Sequence, residues 1–279
     1  MATSDAAFVG SIPRYYDQYL VPIIFDEYAA DLAQRVAVPP RGTVLEIAAG
    51  TGIVTLRLRE ALPDDVGMVV TDLNEPMLDL ARRKFDSPAN IEFQTADAAR
   101  LPFPNAAFGA VVCQFSLMFF PDKRAAMQEA ARVLTPGGAF VFSVWDSFEH
   151  NHFIQTVNHT LARLFPANPP PFFDTPYGYH SIDAVKTLAA EAGFTEMDIH
   201  VLPRVSRADR ARNVALGFIL GTPVCAQIVE RGEPELKAVV DAVERDLQKT
   251  YGPAAIRAKM QAIVFRARLS GRGRTTSIL

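Results

Sequence analysis

Between residues 43 and 145, five short apolar runs alternate with segments of helical periodicity. No other feature of the chain constrains its fold as tightly. Residues 43–48, 67–72, 91–95, 108–114 and 139–145 read as strands. Apart from the short run 91–95, they are almost continuously apolar, the pattern of parallel strands covered on both faces. Residues 51–62, 75–85 and 122–134 read as helices, the last stopped by Thr135-Pro136-Gly137-Gly138. Strand–helix–strand units cross over with one hand, so the pattern predicts an α/β fold with a doubly wound, mostly parallel sheet.

Beyond residue 145 the pattern loosens. A helix is expected at 153–164, then a proline- and aromatic-rich segment at 165–180 that reads as a lid or a surface loop rather than a regular element. A helix at 182–192 and a strand at 195–202 follow. Residues 207–250 look helical, broken at Gly221-Thr222-Pro223 and Gly232-Glu233-Pro234, and 262–269 read as a last, antiparallel strand. The expected organisation is an N-terminal helical arm (1–40), a seven-stranded core (41–206 and 256–270), a helical cap inserted at 207–255 and a tail (271–279). The cap could equally be a dimerisation surface.

Composition narrows the function classes. Of 279 residues, 49% are hydrophobic and 21% charged, enough to bury a large core. The net charge is −3, and Arg266, Arg268, Arg272 and Arg274 near the C-terminus read as a solvated tail rather than a nucleic-acid footprint. Cys113 and Cys225 stand far apart and make neither a disulfide framework nor a zinc site, which suits a reducing, cytoplasmic setting. The first residues lack a signal-peptide pattern, and no apolar stretch reaches the ~20 residues needed to span a bilayer. The expected protein is soluble, with no membrane or nucleic-acid partner.

The chemistry lies in Val44-Leu45-Glu46-Ile47-Ala48-Ala49-Gly50-Thr51-Gly52 and in Asp72, which closes the second strand. Glycines directly after a strand let the backbone turn sharply and approach a ligand. An acid at the next strand tip is placed to accept hydrogen bonds from both hydroxyls of a ribose. A pyrophosphate would need the full glycine fingerprint, which is incomplete here, with Ala48 and Thr55 standing in place of glycines. Glu46 would also repel phosphates and suits a cationic amine. S-adenosylmethionine has a ribose, an ammonium group and no phosphate. An NAD-dependent oxidoreductase would share Asp72 but lacks its third glycine here. A non-catalytic binding or scaffold protein on the same fold would keep the whole site.

Taken together, residues 44–52, Asp72-Leu73-Asn74-Glu75-Pro76-Met77-Leu78, Asp97-Ala98, Leu101-Pro102-Phe103, Phe119-Phe120-Pro121-Asp122 and Leu134-Thr135-Pro136-Gly137-Gly138 resemble a class I S-adenosylmethionine-dependent methyltransferase. The likeness is to the ubiquinone/menaquinone-biosynthesis (methyltransferase type 11) subgroup, over about residues 40–200 and more loosely to 269. The resemblance implies that Glu46, Ala48, Gly50 and Gly52 hold the methionine part and Asp72 the ribose. It implies that Asp97 faces the adenine between Leu73, Met77 and Ala98, and that Gln114 lies beside the sulfonium. Asp97 also reads as a helix N-cap, and Gln114 as an exposed strand end. Tyr19, in the aromatic arm, is expected to touch the cosubstrate.

The implied reaction is methyl transfer to a small, apolar or aromatic molecule, by a monomer or homodimer and without a metal. Phe115–Phe120, Asp146–Asn151, Phe165, Phe172, Phe173, Tyr177 and Tyr179 are candidates for an apolar acceptor mouth. His150, His152 and His180 are candidate general bases, because an imidazole titrates near neutral pH.

Overall fold

The computed structural model describes residues 4–36, 42–85 and 90–270. The expected tail, with Arg272 and Arg274, lies outside the described residues. The arm comprises α1 (Ile12–Tyr15), a ten-residue π-helix (Tyr16–Phe25) and α2 (Asp26–Gln34). The first crossovers follow as β1 (Thr43–Glu46), α3 (Ile53–Ala61), β2 (Gly67–Asp72), α4 (Glu75–Arg82) and β3 (Ile91–Thr95). Next come β4 (Phe108–Gln114), α5 (Lys123–Val133), β5 (Leu134–Trp145), α6 (His152–Leu164), α7 (Asp174–Gly178) and α8 (Ile182–Glu191). The chain then runs through β6 (Phe194–Arg210), α9 (Ala211–Leu220), α10 (Val224–Arg231), α11 (Leu236–Tyr251) and β7 (Ala254–Leu269).

The seven strands form one sheet in the order β3-β2-β1-β4-β5-β7-β6. β1 pairs in parallel with both β2 and β4, and β7 runs antiparallel between β5 and β6. The expected doubly wound sheet with an antiparallel last strand is therefore the observed one. Alternate strand residues enter separate cores, as the two-residue period requires. Val44, Val70, Ala110, Val112, Val141 and Val264 pack on one face with Leu32, Val54 and Leu58. Leu45, Val111, Cys113, Phe140, Phe142 and Phe265 pack on the other with Met127 and Val133. α5 starts where Asp122 accepts the Ala125 N–H at 2.8 Å, a side-chain cap on an otherwise unpaired donor.

Three expectations needed correction. β5 begins at Leu134, directly after α5 ends at Val133, so Thr135-Pro136-Gly137-Gly138 belongs to the strand expected only from 139. The outer strands are longer than their apolar runs: β6 continues to Arg210 and β7 begins at Ala254, because Pro203–Arg210 pairs register for register with Ala254–Gln261. Backbone pairing carries this polar ribbon, and Pro203 is tolerated because β6 is an edge strand. The proline-aromatic segment contains α7, with Pro176 in its first turn, where the missing N–H costs nothing. The cap helices α9–α11 thus occupy 211–251, inside the expected 207–255. Among the described residues no single helix is long and apolar enough to cross a membrane; the apolar pair α9 and α10 is bent by 79°.

The cap meets the arm through a close approach at Gly221. A Cβ there would lie 2.5 Å from the Gly217 carbonyl and 2.9 Å from the Tyr16 nitrogen. Gly221→Ala should therefore push α9 off the π-helix and cost about 1–3 kcal/mol, the usual range for overpacking, measured as a lower urea midpoint.

Candidate functional site

Helices pass to opposite faces on either side of β1, so its carboxyl end opens into a crevice. There a cavity of about 530 Å³ runs from the tips of β1, β2 and β4 to α7 and α9. Its polar end holds Glu46, Ala48, Gly50, Asp72, Leu73, Met77, Asp97, Ala98 and Gln114, all of them expected site residues.

The turn after β1 is anchored to β2 by the Ala49 N–H, which donates to the Thr71 carbonyl at 2.9 Å. Ala48 has φ +54° and Gly50 φ +58°. An L-residue in this left-handed region costs about 1–2 kcal/mol, so the turn is strained at Ala48 and relaxed at Gly50. Gly52 departs from expectation because it does not line the cavity. It caps α3 at φ +82°, and a Cβ there would come within 2.8 Å of Ala81 Cβ, so this glycine serves helix packing.

Glu46 is 2% exposed, and its Oε2 accepts a hydrogen bond from Thr55 Oγ1 at 2.6 Å. Burial pushes its carboxyl up to about 8, against the partial relief of the Thr55 hydroxyl. Thr55 stands where a dinucleotide site would have its third glycine, and here it holds the acid instead. Asp72 is also buried, which raises its pKa, while hydrogen bonds from the backbones of Asn74 and Gly50 oppose the rise. Its Oδ2 accepts the Gly50 N–H and its Oδ1 the Asn74 N–H, both at 2.8 Å. Oδ1 also accepts a longer bond from Asn74 Nδ2 at 3.4 Å, and Oδ2 retains a second lone pair for a hydroxyl donor. Asp97 begins no helix. It closes a turn by accepting the Ala99 N–H at 2.9 Å.

Gln114 ends β4, and its Nε2 donates to the Phe25 carbonyl at 3.3 Å. Its Oε1 is buried without a hydrogen-bond partner. Such an orphaned acceptor is costly unless a ligand's donor or polarised C–H group meets it. The next residue, Phe115, is left-handed (φ +51°) and stacks on Trp145 with ring centroids 3.8 Å apart.

From there the wall turns aromatic. Of the expected mouth residues, Phe115, Phe119, Phe120, Phe172, Phe173 and Tyr177 line the cavity. Phe165 packs in the core, and Tyr179 lies under the Lys123 ammonium, 5.1 Å from its ring centroid. Asp146–Asn151 is likewise absent from the wall: Gln261 Nε2 donates to Asp146 Oδ2 at 2.7 Å and Gln261 N to Asn151 Oδ1 at 3.0 Å, tying β5 to β7.

The arm contributes Tyr16 rather than Tyr19. Tyr19 stacks on Tyr15 and lines a separate recess beside Arg207 and Arg257. On a π-helix, with its i→i+5 bonding, residues three apart no longer share a face. Phe25, Trp145 and Phe218 also line the site, although their local sequence does not mark them for it and Trp145 reads only as a strand end. The three candidate bases are elsewhere. His150 Nδ1 is 3.1 Å from Lys259 Nζ, His152 opens α6, and His180 is exposed, so no histidine stands on the cavity wall. Among the described residues no cluster of three or more His, Cys, Asp or Glu could hold a metal.

Two substitutions at the turn should move stability in opposite directions. Gly52→Ala should destabilise by about 2–4 kcal/mol, combining left-handed strain with overpacking on Ala81. Ala48→Gly should be neutral or stabilise by up to about 1 kcal/mol, since relief of strain outweighs the flexibility of glycine in the unfolded chain. Urea unfolding of both variants checks the pair, and a clear loss in Ala48→Gly would contradict the strain.

Residues 44–138 match the model of a family described as "Methyltransferase domain". The chain is 43% identical to a demethylmenaquinone methyltransferase of Deinococcus radiodurans over 113 residues, 40% of this chain and 46% of that one. It therefore spans less than half of that relative. It is 34% identical to a demethylmenaquinone methyltransferase of Thermus thermophilus over 178 residues, 60% of this chain and 79% of that one. Its fold is shared by the Haemonchus contortus phosphoethanolamine N-methyltransferase 2 in complex with S-adenosyl-L-methionine. That likeness has a TM-score of 0.58 and 13% identity, over 95% of this chain and 59% of that one. With its strand order, its glycine turn and its relative matched over four-fifths of the length, the chain belongs to the class I S-adenosylmethionine-dependent methyltransferases, in the ubiquinone/menaquinone-biosynthesis-like group.

Proposed function

We propose that the chain transfers a methyl group from S-adenosylmethionine to a small, neutral, apolar or aromatic acceptor, as a cytoplasmic enzyme. One observation carries the reading: a single cavity has three carboxyl groups and a glycine turn at one end and uncharged, mostly aromatic walls at the other. In this reading Glu46, with Ala48 and Gly50, holds the methionine ammonium, Asp72 the ribose, and Asp97 the adenine between Leu73, Met77 and Ala98. Gln114 stands at the boundary between the two ends. Gly52 acts through packing alone.

S-adenosylmethionine supplies an electrophilic methyl group on a sulfonium whose positive charge disperses on transfer. The chain's own contribution is placement and dryness. Phe25, Phe115, Trp145 and Tyr177 exclude water where charge disperses, and orientation of two bound reactants is worth about 7–11 kcal/mol at best. Burial holds the Tyr16 and Tyr177 phenols above their usual range, so both keep the proton that a donor needs. With no histidine on the wall, the site suits a nucleophile that needs no strong base, such as an electron-rich ring carbon. The names of the demethylmenaquinone methyltransferase relatives support a ring acceptor of quinone type. Phe218 of α9 supports reading the cap as a roof over the acceptor.

Isothermal titration should show micromolar binding of S-adenosylmethionine and S-adenosylhomocysteine, and no heat with either would sink the proposal. Asp72→Ala should weaken binding by roughly 10–100-fold, the value of hydrogen bonds to a charged group. Release of S-adenosylhomocysteine from a library of phenolic and quinol acceptors separates transfer from binding without turnover.

The raised Glu46 carboxyl also predicts a proton linkage. Near pH 7 the ligand-free chain keeps Glu46 protonated, and a bound ammonium favours the carboxylate. Binding should therefore release a proton and tighten as the pH rises toward about 8, levelling off above it. The sign for stability is opposite. With a folded pKa of about 8 against the ordinary 4.5 of a solvated glutamate, Glu46 contributes stability that is full below 4.5 and lost as the pH rises through 8. In Glu46→Gln, titrations in buffers of different ionisation enthalpy should lose the proton release, and the ligand-free variant should resist urea better than wild type at alkaline pH.

A further inference from the structure

We infer that Asp5 is a positioning residue that joins the cosubstrate end of the cavity to its acceptor end. The inference rests on the methyl-transfer reading above. The N-terminal segment crosses the cavity mouth, and Ala6, Ala7 and Phe8 form part of the wall. On the cosubstrate side the Ala6 carbonyl accepts a hydrogen bond from Asn74 Nδ2 at 3.1 Å. The Asn74 backbone N–H donates to Asp72 Oδ1, so one asparagine touches both the crossing segment and the ribose acid.

On the acceptor side both carboxylate oxygens of Asp5 are engaged. Thr175 Oγ1, on α7, donates to Oδ2 at 2.8 Å, and Gln227 Nε2, on α10, donates to Oδ1 at 3.3 Å. Gln227 Oε1 in turn accepts the Phe172 N–H at 3.1 Å. Phe172 stacks on Phe119 at 5.9 Å, and Phe119 meets Phe8 edge-on at 6.3 Å, which returns the chain of contacts to the crossing segment. Asp72, Asn74, Ala6, Asp5, Gln227 and Phe172 are thus linked by hydrogen bonds and consecutive residues without a gap.

A carboxylate is suited to this place. It accepts from two elements at once, and charge-assisted bonds are stronger than neutral ones. Because the segment covers both ends, exchange of either ligand is coupled to the same contacts. A cosubstrate bound to Asp72 steadies Asn74 and, through Ala6 and Asp5, Phe172 and the helix α7 that carries Tyr177. Acceptor binding is then favoured after cosubstrate binding, and the demethylated product is retained until the Asp5 contacts part.

The test uses the full chain loaded with tritiated S-adenosylhomocysteine and chased with unlabelled ligand. Asp5→Ala should release the label about tenfold faster, at an unfolding midpoint close to wild type. A tenfold change corresponds to about 1.4 kcal/mol. Asp5→Asn, which keeps a carbonyl for Thr175, should recover part of the slow release. Asp5→Ala combined with Thr175→Val should be no faster than Asp5→Ala alone, because both remove one contact. Release from Asp5→Ala within twofold of wild type, or additive effects in the double variant, overturns the inference. Failure of the wild-type chain to retain any label overturns the methyl-transfer reading instead.

Discussion

The reversal of strand order at β1 is the constraint on which the rest of this molecule depends. β2 and β3 lie to one side of β1 and β4 and β5 to the other, so the helices that connect them pass to opposite faces. A crevice must then open beyond the carboxyl end of β1, and the residues that border it are the strand tips. Glu46, the glycine turn, Asp72 and Gln114 are gathered by this one topological fact, although they are spread over almost seventy positions of sequence. The apolar cores on the two faces of the sheet hold the tips in register.

Within that crevice the electrostatics are set by burial. Glu46 reaches its place at the cost of leaving water. The Thr55 hydroxyl only partly compensates, so burial favours the protonated acid. Asp72 is treated differently: backbone N–H groups from the turn and from the start of α4 oppose its desolvation and aim it. Two carboxylates close together in one dry site would repel if both were ionised. Leaving one protonated and surrounding the other with donors separates their roles. The orphaned Gln114 oxygen marks the third polar point, where the polar end gives way to rings.

The aromatic half of the cavity is built by a different means. Its rings come from the arm (Phe25), from the strained turn after β4 (Phe115), from the end of β5 (Trp145), from the α7 region (Phe172, Phe173, Tyr177) and from the cap (Phe218). Aromatic pairs of this kind are each worth about 0.5–1.5 kcal/mol beyond their buried area. The left-handed Phe115 is held by its stack on Trp145 and its edge contact with Tyr28. Strain of this sort persists only where packing over-determines it.

The sequence by itself determined the crossover pattern, the parallel sheet, the glycine turn and the acids at the strand tips. Those signals are local: a strand buried on both faces must be apolar along its whole length, and a turn at positive φ selects glycine. Glu46, the turn at Ala48 and Gly50, and Asp72 could be named from them, whereas Asp97, Leu73, Met77, Ala98 and Gln114 followed from the family resemblance. Tertiary structure alone decided what is not local. Sheet pairing extended β6 and β7 through polar residues whose own preferences do not call for strands. The π-helix turned Tyr16 into the cavity and Tyr19 away from it, a change of face that α-helical spacing does not show. Gly52 proved to serve the contact with Ala81, and the histidines fell outside the wall, because side chains on irregular segments are aimed by their neighbours rather than by their sequence.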